Sequence, residues 1–380
     1  MKKIQLSVVV VIVLISLNLL QASAQEIPKI NILPVPVDVQ RGNGVYSFNS
    51  LNVSFPQVTG IESLKTQFRQ RILNNIGWGV SASKTNPNVT FLLNKKTEAM
   101  LGKEGYRLVV NGKGIVVSAN EPAGLFYGMQ SLFQLLPLSN EIMKLENISV
   151  PFVSIVDYPR FAWRGLMLDV ARHFFTKAEV KSYIDQMAKY KFNLFHWHLT
   201  DDEGWRIQIK GLPKLTEVGA WNVHKVGYFG TFSPVSDTDK YNYGGFYTQD
   251  DIKEVVQYAK DRYVDILPEV DVPGHSMAAV ASYPELSCTP GADKYKVRSG
   301  QAGFMDWTDS GIVAHYDNTL CPANPKVYAF LDKVFGEVAA LFPFAYIHIG
   351  GDECAKTFWK TNPEIQALMK QENIKTMEEV

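Results

Sequence analysis

Short apolar runs alternate with helical patterns from about residue 160 onward, and this alternation limits the possible folds more than any other feature of the chain. Four runs have the composition of buried strands, at residues 165–170, 193–200, 265–272 and 346–349. Amphipathic helical patterns follow near residues 176–187, 250–263 and 325–341. The first of these begins with Thr176 and Glu179 in capping-box spacing. Repeated strand–helix units predict an α/β fold with a parallel sheet.

Ionisable side chains lie at or just beyond the ends of all four predicted strands. They are Asp169, Arg172, His173, His196, His198, Asp201, Asp202, Glu269, Asp271, His275, Asp352 and Glu353. The carboxyl ends of parallel strands meet on one rim, and in a (β/α)8 barrel that rim forms the active site. A doubly wound sheet predicts a similar rim, but no glycine-rich phosphate loop follows any of these strands. We therefore predict a TIM-type barrel with a catalytic rim.

The segment before the barrel has the mixed pattern of a small α+β domain, which we place at residues 25–155. Two β-rich runs, at residues 106–110 and 115–118, flank a glycine-rich hairpin signal, and apolar residues then recur at helical spacing as far as Leu136. Acids, bases and nucleophiles do not cluster in this segment. We assign it a packing role and no chemistry.

Residues 1–24 predict a secretory signal peptide, because two lysines precede an apolar run that ends near Ala22-Ser23-Ala24. An uncleaved anchor is the alternative, although the apolar run is short for a bilayer span. We expect an exported protein, periplasmic or secreted, with no stable membrane span after cleavage. Acidic and basic residues balance at 38 each and no basic block is present, so nucleic acid is not an expected partner.

The three cysteines are too few for a disulfide scaffold and lack the spacing of a zinc site. In an oxidising compartment, a bridge between Cys288 and Cys321 would close the polar loop between them and leave Cys354 free. Three pairings are possible, and the sequence does not choose among them.

The adjacent acids Asp352 and Glu353 are the most specific indication of catalytic chemistry in the sequence. Adjacent carboxylates repel each other, so one of them can be held protonated near neutral pH beside a fixed anion. Neighbouring residues cannot easily lie on both sides of a sugar, as the two carboxylates of ordinary glycosidases do. The pair is better suited to protonating a leaving oxygen while steadying a reacting group of the substrate. A solvated acidic turn is the structural alternative.

Three further residues are candidates for the same site. His275 and Asp201 follow predicted strands, and an Asp–His pair there could orient or tune Glu353. Arg172 could hold sugar hydroxyls through its planar guanidinium group, or merely pair with Asp169. Both interpretations of Arg172 are open at this level.

A metal-dependent hydrolase is the rival enzyme hypothesis. His196 and His198 alternate onto one strand face, and a His-x-His pair at a barrel strand end can bind a catalytic metal. Asp201 and His275 would complete the ligand set. Packing inside the barrel is the structural alternative for the two histidines.

Four segments, in order, resemble the β-N-acetylhexosaminidases of glycoside hydrolase family 20. They are RGLMLDVARHFF at 164–175, FHWHLTDDEGWR at 195–206, EVDVPGH at 269–275 and HIGGDE at 348–353. The preceding module, from residues 32–34 to 124–130, also resembles the domain that comes before the barrel in that family. The resemblance thus covers the chain from about residue 30 to Val380.

The resemblance implies a retaining, substrate-assisted glycosidase that removes terminal, non-reducing β-linked N-acetylglucosamine or N-acetylgalactosamine from a glycan. It implies that Glu353 protonates the glycosidic oxygen and that the substrate's 2-acetamido carbonyl attacks the anomeric carbon to give an oxazolinium ion. Glu353 would then activate water, and Asp352 would orient the acetamido nitrogen. Arg172 would hold hydroxyls of the non-reducing sugar.

The same resemblance implies that Asp201, rather than Asp202, forms the network behind the acid together with His275. It implies no metal and no cofactor, which favours barrel packing for His196 and His198.

The sequence through Val380 accommodates about four βα units, whereas a complete barrel has eight and roughly 250 residues. We expect residues 156–380 to form the N-terminal half of the catalytic barrel, truncated at its C-terminal side. The resemblance implies that the other half supplies aromatic residues around the sugar and a tyrosine for the acetamido group. An inactive remnant or a sugar-binding fragment is therefore the alternative to an active glycosidase.

Overall fold

The structure is a computed structural model that describes residues 30–83, 85–137, 145–228, 230–309 and 311–380. The chain divides into two compact units, one up to Arg160 and one from Phe161 onward. The predicted signal peptide, residues 1–24, lies outside the described residues. None of the helices in the described ranges has the length and hydropathy needed to cross a bilayer.

The first unit is built on one mixed sheet of seven strands. Its strands are β1 (Asp38–Phe48), β2 (Leu51–Ser54), β3 (Val80–Ala82), β4 (Val89–Leu93), β5 (Tyr106–Asn111), β6 (Gly114–Ala119) and β7 (Ile148–Asp157). Their order in the sheet is β1-β7-β5-β6-β4-β2-β3. The helices are α1 (Glu62–Ile76) and α2 (Pro122–Leu135), with a 3-10 turn at Ala99–Leu101.

The predicted hairpin and the helix after it are confirmed. Strands β5 and β6 pair antiparallel with Asn111 opposite Gly114, and the Asn111 side chain accepts a hydrogen bond of 2.8 Å from the Lys113 amide. Helix α2 begins at Pro122, where the missing amide proton costs nothing, and buries its apolar face. The predicted domain boundary at residues 155/156 falls inside β7, so the first unit continues slightly further than the sequence pattern indicated.

The second unit contains strands alternating with helices, together with short bridges in the loops. The strands are β8 (Gly165–Asp169), β9 (Leu194–His198), β10 (Thr200–Asp201), β11 (Gly204–Trp205), β12 (Trp221–Asn222), β13 (Tyr243–Gly244), β14 (Asp265–Glu269), β15 (Met305–Thr308) and β16 (Gly311–Ala314). The helices are α3 (Lys177–Lys189), α4 (Lys214–Glu217), α5 (Gln249–Lys260), α6 (Met277–Ser282), α7 (Pro325–Leu341) and α8 (Pro363–Gln371), with 3-10 turns at Pro284–Leu286 and Ala292–Lys294.

Strands β8, β9 and β14 form a parallel sheet in the order β8-β9-β14, as expected for part of a (β/α)8 barrel. Their last residues, Asp169, His198 and Glu269, lie side by side in register. The predicted capping box of α3 is present, because Thr176 and Glu179 each accept a hydrogen bond from the other's backbone amide. The three strands therefore deliver their polar ends to one rim.

The predicted fourth strand, at residues 346–349, is wrong as a regular strand. The structure has one parallel bridge there, between Glu269 and His348, supported by hydrogen bonds from the amide of His348 to Pro268 and from Val270 to His348. Two glycines, Gly350 and Gly351, then take positive φ values of 65° and 94° and turn the chain away from the sheet. This early turn ends the pairing.

The two faces of β9 have different partners. Trp197 is fully buried, with its ring 4.7 Å from that of Tyr247 and 6.4 Å from that of Phe342. Because side chains alternate along a strand, His196 and His198 project to the opposite face. Packing on the first face thus directs both histidines towards the polar interior of the barrel.

Candidate active site

Asp169 and Arg172 form the part of the site that follows β8. One carboxylate oxygen of Asp169 accepts hydrogen bonds of 3.0 Å from the amides of Ala171 and Arg172, and the other accepts one from Arg172 Nη1, also at 3.0 Å. This local turn fixes the direction of the guanidinium group. Burial opposes the charge of Arg172, but neighbouring carboxylates outweigh it and raise its pKa.

Asp201 is buried and lies at the centre of the rim. Its Oδ2 atom is 2.8 Å from Arg172 Nη2 and 3.0 Å from His198 Nε2, while its Oδ1 atom is 3.2 Å from His275 Nδ1. Burial disfavours ionisation of Asp201, but its contacts with His198, His275 and Arg172 outweigh that cost and lower its pKa. One carboxylate therefore contacts three basic groups at once.

His275 connects Asp201 with Glu353. Its Nε2 atom lies 3.5 Å from Glu353 Oε2, and neither ring nitrogen has an aligned hydrogen bond within the described residues. Burial disfavours the imidazolium form, but Asp201 and Asp202 outweigh it and raise the pKa of His275 to about 12.

The turn after the His348 bridge presents Asp352 and Glu353. The Gly351 amide donates a hydrogen bond of 3.1 Å to Asp271, which ties the turn to the end of β14. The Glu353 side chain is 41% exposed, so its carboxyl group is accessible from the rim. Asp352 lies with Asp271 and His275 in a group whose nearest polar atoms are all within 4.8 Å of one another.

Both units match families of known proteins. Residues 161–380 match the model of the glycosyl hydrolase family 20 catalytic domain, and residues 29–158 match domain 2 of the same family. The chain belongs to glycosyl hydrolase family 20. This confirms the resemblance that the four sequence motifs indicated.

Curated relatives of this family 20 chain include two bacterial beta-hexosaminidases. The protein of Porphyromonas gingivalis is 36% identical over 358 residues, covering 92% of this chain and 42% of the relative. The protein of Vibrio furnissii is 38% identical over 349 residues, covering 92% of this chain and 53% of the relative. The chain thus spans about half the length of the curated relatives it matches.

Solved structures of family 20 enzymes show the same fold. The GH20 exo beta-N-acetylglucosaminidase of Vibrio harveyi, in complex with N-acetylglucosamine, has a TM-score of 0.75 and 35% identity, covering 93% of this chain and 52% of that one. The Streptomyces plicatus N-acetyl-beta-hexosaminidase in complex with Thio-NAglucal has a TM-score of 0.72 and 33% identity, covering 92% of this chain and 64% of that one.

The structure brings together all five residues that the sequence singled out in this family 20 chain. Arg172, Asp201, His275 and Glu353 form one continuous series of contacts, with Asp352 beside it. Asp201 lies closer to His275 than Asp202 does, at 3.2 Å against 3.6 Å. The catalytic role of each residue stays a prediction.

Sequence reasoning assigned no role to a second buried layer of the family 20 site. Burial, followed by the nearby charge of Asp201, raises the pKa of Glu203 to about 8, although Arg298 opposes the shift from an Nε atom 3.1 Å away. Asn318 donates a hydrogen bond of 3.0 Å to Asp202. The three consecutive acids after β9 could have identified Glu203 as a candidate site residue from the sequence. The sequence around Arg298 and Asn318 contains no comparable pattern.

Arg298 and Asn318 both lie in a long loop that a disulfide closes. Of the three pairings left open by the sequence, the structure contains the one between Cys288 and Cys321, and Cys354 is a free thiol. Burial raises the pKa of the Cys354 thiol to about 11, so it stays protonated at neutral pH.

The metal-ligand set proposed from sequence is not brought together as one group. His198 lies near Asp201 and Asp271, whereas His275 lies in a different group with Asp201 and Asp202. A third group contains His196, Glu269 and His348. The ring nitrogens in this third group already take part in hydrogen bonds. His196 Nε2 is hydrogen-bonded to Glu269 Oε2, and His348 Nδ1 accepts a hydrogen bond from the Gly350 amide.

A cavity of about 540 Å³ adjoins Arg172 on the rim. Its walls include His173, Glu203, Asn222 and Tyr243, all from segments that follow β8 or β9. The cavity is large enough for a sugar ring, and Arg172 lies at its edge beside the series of contacts that leads to Glu353.

Proposed function

We propose that the protein is an exo-acting β-N-acetylhexosaminidase that hydrolyses terminal, non-reducing β-linked N-acetylglucosamine or N-acetylgalactosamine with retention. The observation that carries this proposal is the shared carboxylate of Asp201, which contacts Arg172 on one side and His275 on the other. His275 in turn contacts Glu353. A sugar-binding cation and an exposed acid are therefore joined through one buried anion.

The adjacent carboxylates favour substrate-assisted catalysis over a double displacement on the enzyme. Glu353 donates its proton to the glycosidic oxygen as the bond to the anomeric carbon breaks, and the substrate's acetamido carbonyl oxygen attacks that carbon. The resulting oxazolinium ion keeps its N–H proton, to which Asp352 offers a hydrogen-bond acceptor. The Glu353 carboxylate then removes a proton from water. The water oxygen attacks the anomeric carbon from the face opposite the acetamido oxygen, which breaks the bond to that oxygen and opens the oxazolinium ring.

Substrate and location form part of the same proposal. The Vibrio harveyi relative was crystallised with N-acetylglucosamine, which supports an N-acetylhexosamine-containing glycan as the substrate class here. The signal-peptide pattern of residues 1–24 and the Cys288–Cys321 bridge support export to the periplasm or the exterior.

Release of nitrophenol from an aryl β-N-acetylglucosaminide tests the function. We expect saturable turnover by the purified protein and a loss of at least about a hundredfold in Glu353→Gln, since general acid catalysis is worth that much or more. Glu378→Gln, at an exposed site, is the matched control and should keep full activity. Unchanged turnover in Glu353→Gln would contradict the assignment of the acid. An inactive protein whose tryptophan fluorescence responds saturably to N-acetylglucosamine would instead support the sugar-binding alternative.

A further inference from the structure

The contacts of Asp201 continue beyond the proposed acid network into the interior of the barrel. On the side away from His275, Asp201 Oδ2 is 3.0 Å from His198 Nε2. The other nitrogen of the same ring, His198 Nδ1, is 2.6 Å from Glu269 Oε2. His198 is buried, so no bulk water competes for either contact. A carboxylate therefore faces each nitrogen of this imidazole.

Two facing carboxylates require a doubly protonated ring, because a carboxylate only accepts hydrogen bonds. In the neutral alternative, His198 Nε2 would accept from Arg172 Nη1, which lies 3.3 Å away. Its lone pair would then face the Asp201 carboxylate at 3.0 Å, which is a repulsive arrangement. In the imidazolium form the contact with Arg172 Nη1 joins two donors at 3.3 Å, but both ring nitrogens donate to carboxylates at the shorter distances of 2.6 and 3.0 Å, so the geometry favours this form.

The charged and titratable groups around His198 agree with this assignment. They come from every strand end that packs against the ring, and they are Asp169, Arg172, Asp201, Glu269 and Asp271. Four of the five are carboxylic acids. Burial disfavours the charged ring, but the hydrogen bonds to Asp201 and Glu269 outweigh burial and raise the pKa of His198 to about 10.

We propose that His198 is a positioning residue, a fixed imidazolium anchored by Glu269 that holds Asp201 between Arg172 and His275. The buried cation of His198 then fixes the positions of Arg172 and His275 relative to each other. This would couple sugar binding by Arg172 to the orientation of the acid, Glu353. Glu269 acts as the anchor because it is buried and its Oε2 atom lies 2.6 Å from His198 Nδ1. The inference rests on the proposed function for its catalytic consequence.

The chain offers a matched pair of variants for the test. His196 and His198 contact the same oxygen of Glu269 at the same distance of 2.6 Å, but only His198 also contacts Asp201. Glutamine in place of either removes one ring and one hydrogen bond to Glu269. A purely structural role for these histidines would therefore affect both variants similarly, whereas a positioning role affects only His198→Gln.

Steady-state kinetics on the aryl glycoside give the first readout. In His198→Gln we expect kcat/KM to fall by roughly tenfold, a fraction of the total effect of a general acid, with both a higher KM and a lower kcat. His196→Gln should stay within about twofold of the parent. Equal losses in the two variants would overturn the proposal.

NMR of histidine-labelled protein gives a second readout that needs no turnover. We expect both ring nitrogens of His198 to be protonated at neutral pH, and the His275 ring signals to shift in His198→Gln but not in His196→Gln. A His198 ring that is neutral at pH 7 would overturn the proposal whatever the kinetics show. A parent protein without turnover would instead contradict the proposed function, and the NMR result would still decide the charge and the coupling of His198.

Discussion

His275 and Glu353 both have left-handed backbone conformations, with φ values of 46° and 44°, and their side chains lie 3.5 Å apart. This region is unfavourable for residues with a Cβ atom, and such strain collects at functional sites. Hydrogen bonds from neighbouring residues hold both turns in place. The Leu320 amide donates a hydrogen bond of 2.8 Å to the Pro273 carbonyl oxygen, and the Gly351 amide donates one to the Asp271 carboxylate. The contact between the two side chains thus depends on backbone that the surrounding loops keep strained.

Gly350 tests how closely the turn before Glu353 must fit. A Cβ atom at this glycine would overlap the carboxylate of Asp271, so we expect Gly350→Ala to displace the turn and lower kcat on the aryl glycoside by at least about tenfold. Gly351→Ala is the neighbouring control, because its φ of 94° is also strained but its Cβ position is open. Gly291→Ala is a second control, distant from this turn in the sequence. Gly291 has a φ of 83° and an open Cβ position, so this variant reports the effect of backbone strain alone. Equal activity in Gly350→Ala and Gly351→Ala would show that the Asp271 contact is unimportant.

Asp271 should make the free energy of unfolding fall as the pH rises. Burial raises the pKa of this carboxyl group to about 7, although His275 and the Gly351 amide oppose the shift. The folded protein therefore binds this proton more tightly than the unfolded chain does. The resulting stabilisation is complete below the ordinary carboxyl pKa of about 4 and is lost as the pH rises through about 7.

Asp271→Asn removes this dependence because the amide stays neutral while its oxygen can still accept from Gly351. We expect the free energy of unfolding, measured with urea, to fall less between about pH 5 and about pH 8 in the variant than in the parent. Asp293→Asn, at an exposed position, should leave the dependence unchanged. A parallel fall in Asp271→Asn and the parent would contradict the raised pKa.

Arg206 should be among the most important residues for the stability of the second unit. Its buried guanidinium group donates to five backbone carbonyls, those of Val170, Ala171, Glu203, Ala220 and Gly245. Arg206→Met leaves these buried acceptors unsatisfied, and we expect the free energy of unfolding to fall by about 3–5 kcal/mol. Lys253→Met, which removes an exposed ion pair with Asp250, should cost about 0–1 kcal/mol. Comparable losses in the two variants would rule out the anchoring role.

The disulfide should stabilise the loop that carries Arg298 and Asn318. It joins Cys288 and Cys321 across a sequence separation of 33, so replacing both with serine should lower the free energy of unfolding by roughly 3–4 kcal/mol. Because the loop contacts the acids after β9, the double variant should also lose turnover at elevated temperature before the parent does. Cys354→Ser keeps the bridge and serves as the control. A denatured parent that shows three reactive thiols instead of one would contradict the pairing.

Local patterns were sufficient for the elements whose signals lie within a few residues. Helix α7 occupies the predicted residues, α3 begins at the predicted capping box, and β5 and β6 form the predicted hairpin. Helical and strand periodicities follow from backbone geometry, and capping depends on hydrogen bonds that span three residues. The motifs at the strand ends likewise indicated the family and the candidate acid Glu353.

Contacts between distant segments decided the rest. The run at 346–349 has strand composition, yet the turn at Gly350 and Gly351 limits it to a single bridge with β14. The raised pKa of Glu203 and the double contact of His198 depend on how deeply each group is buried and on which charges the fold brings beside it. Burial and charge proximity arise only when remote strands and loops meet, so no local pattern could encode that Asp201 is shared by Arg172, His198 and His275.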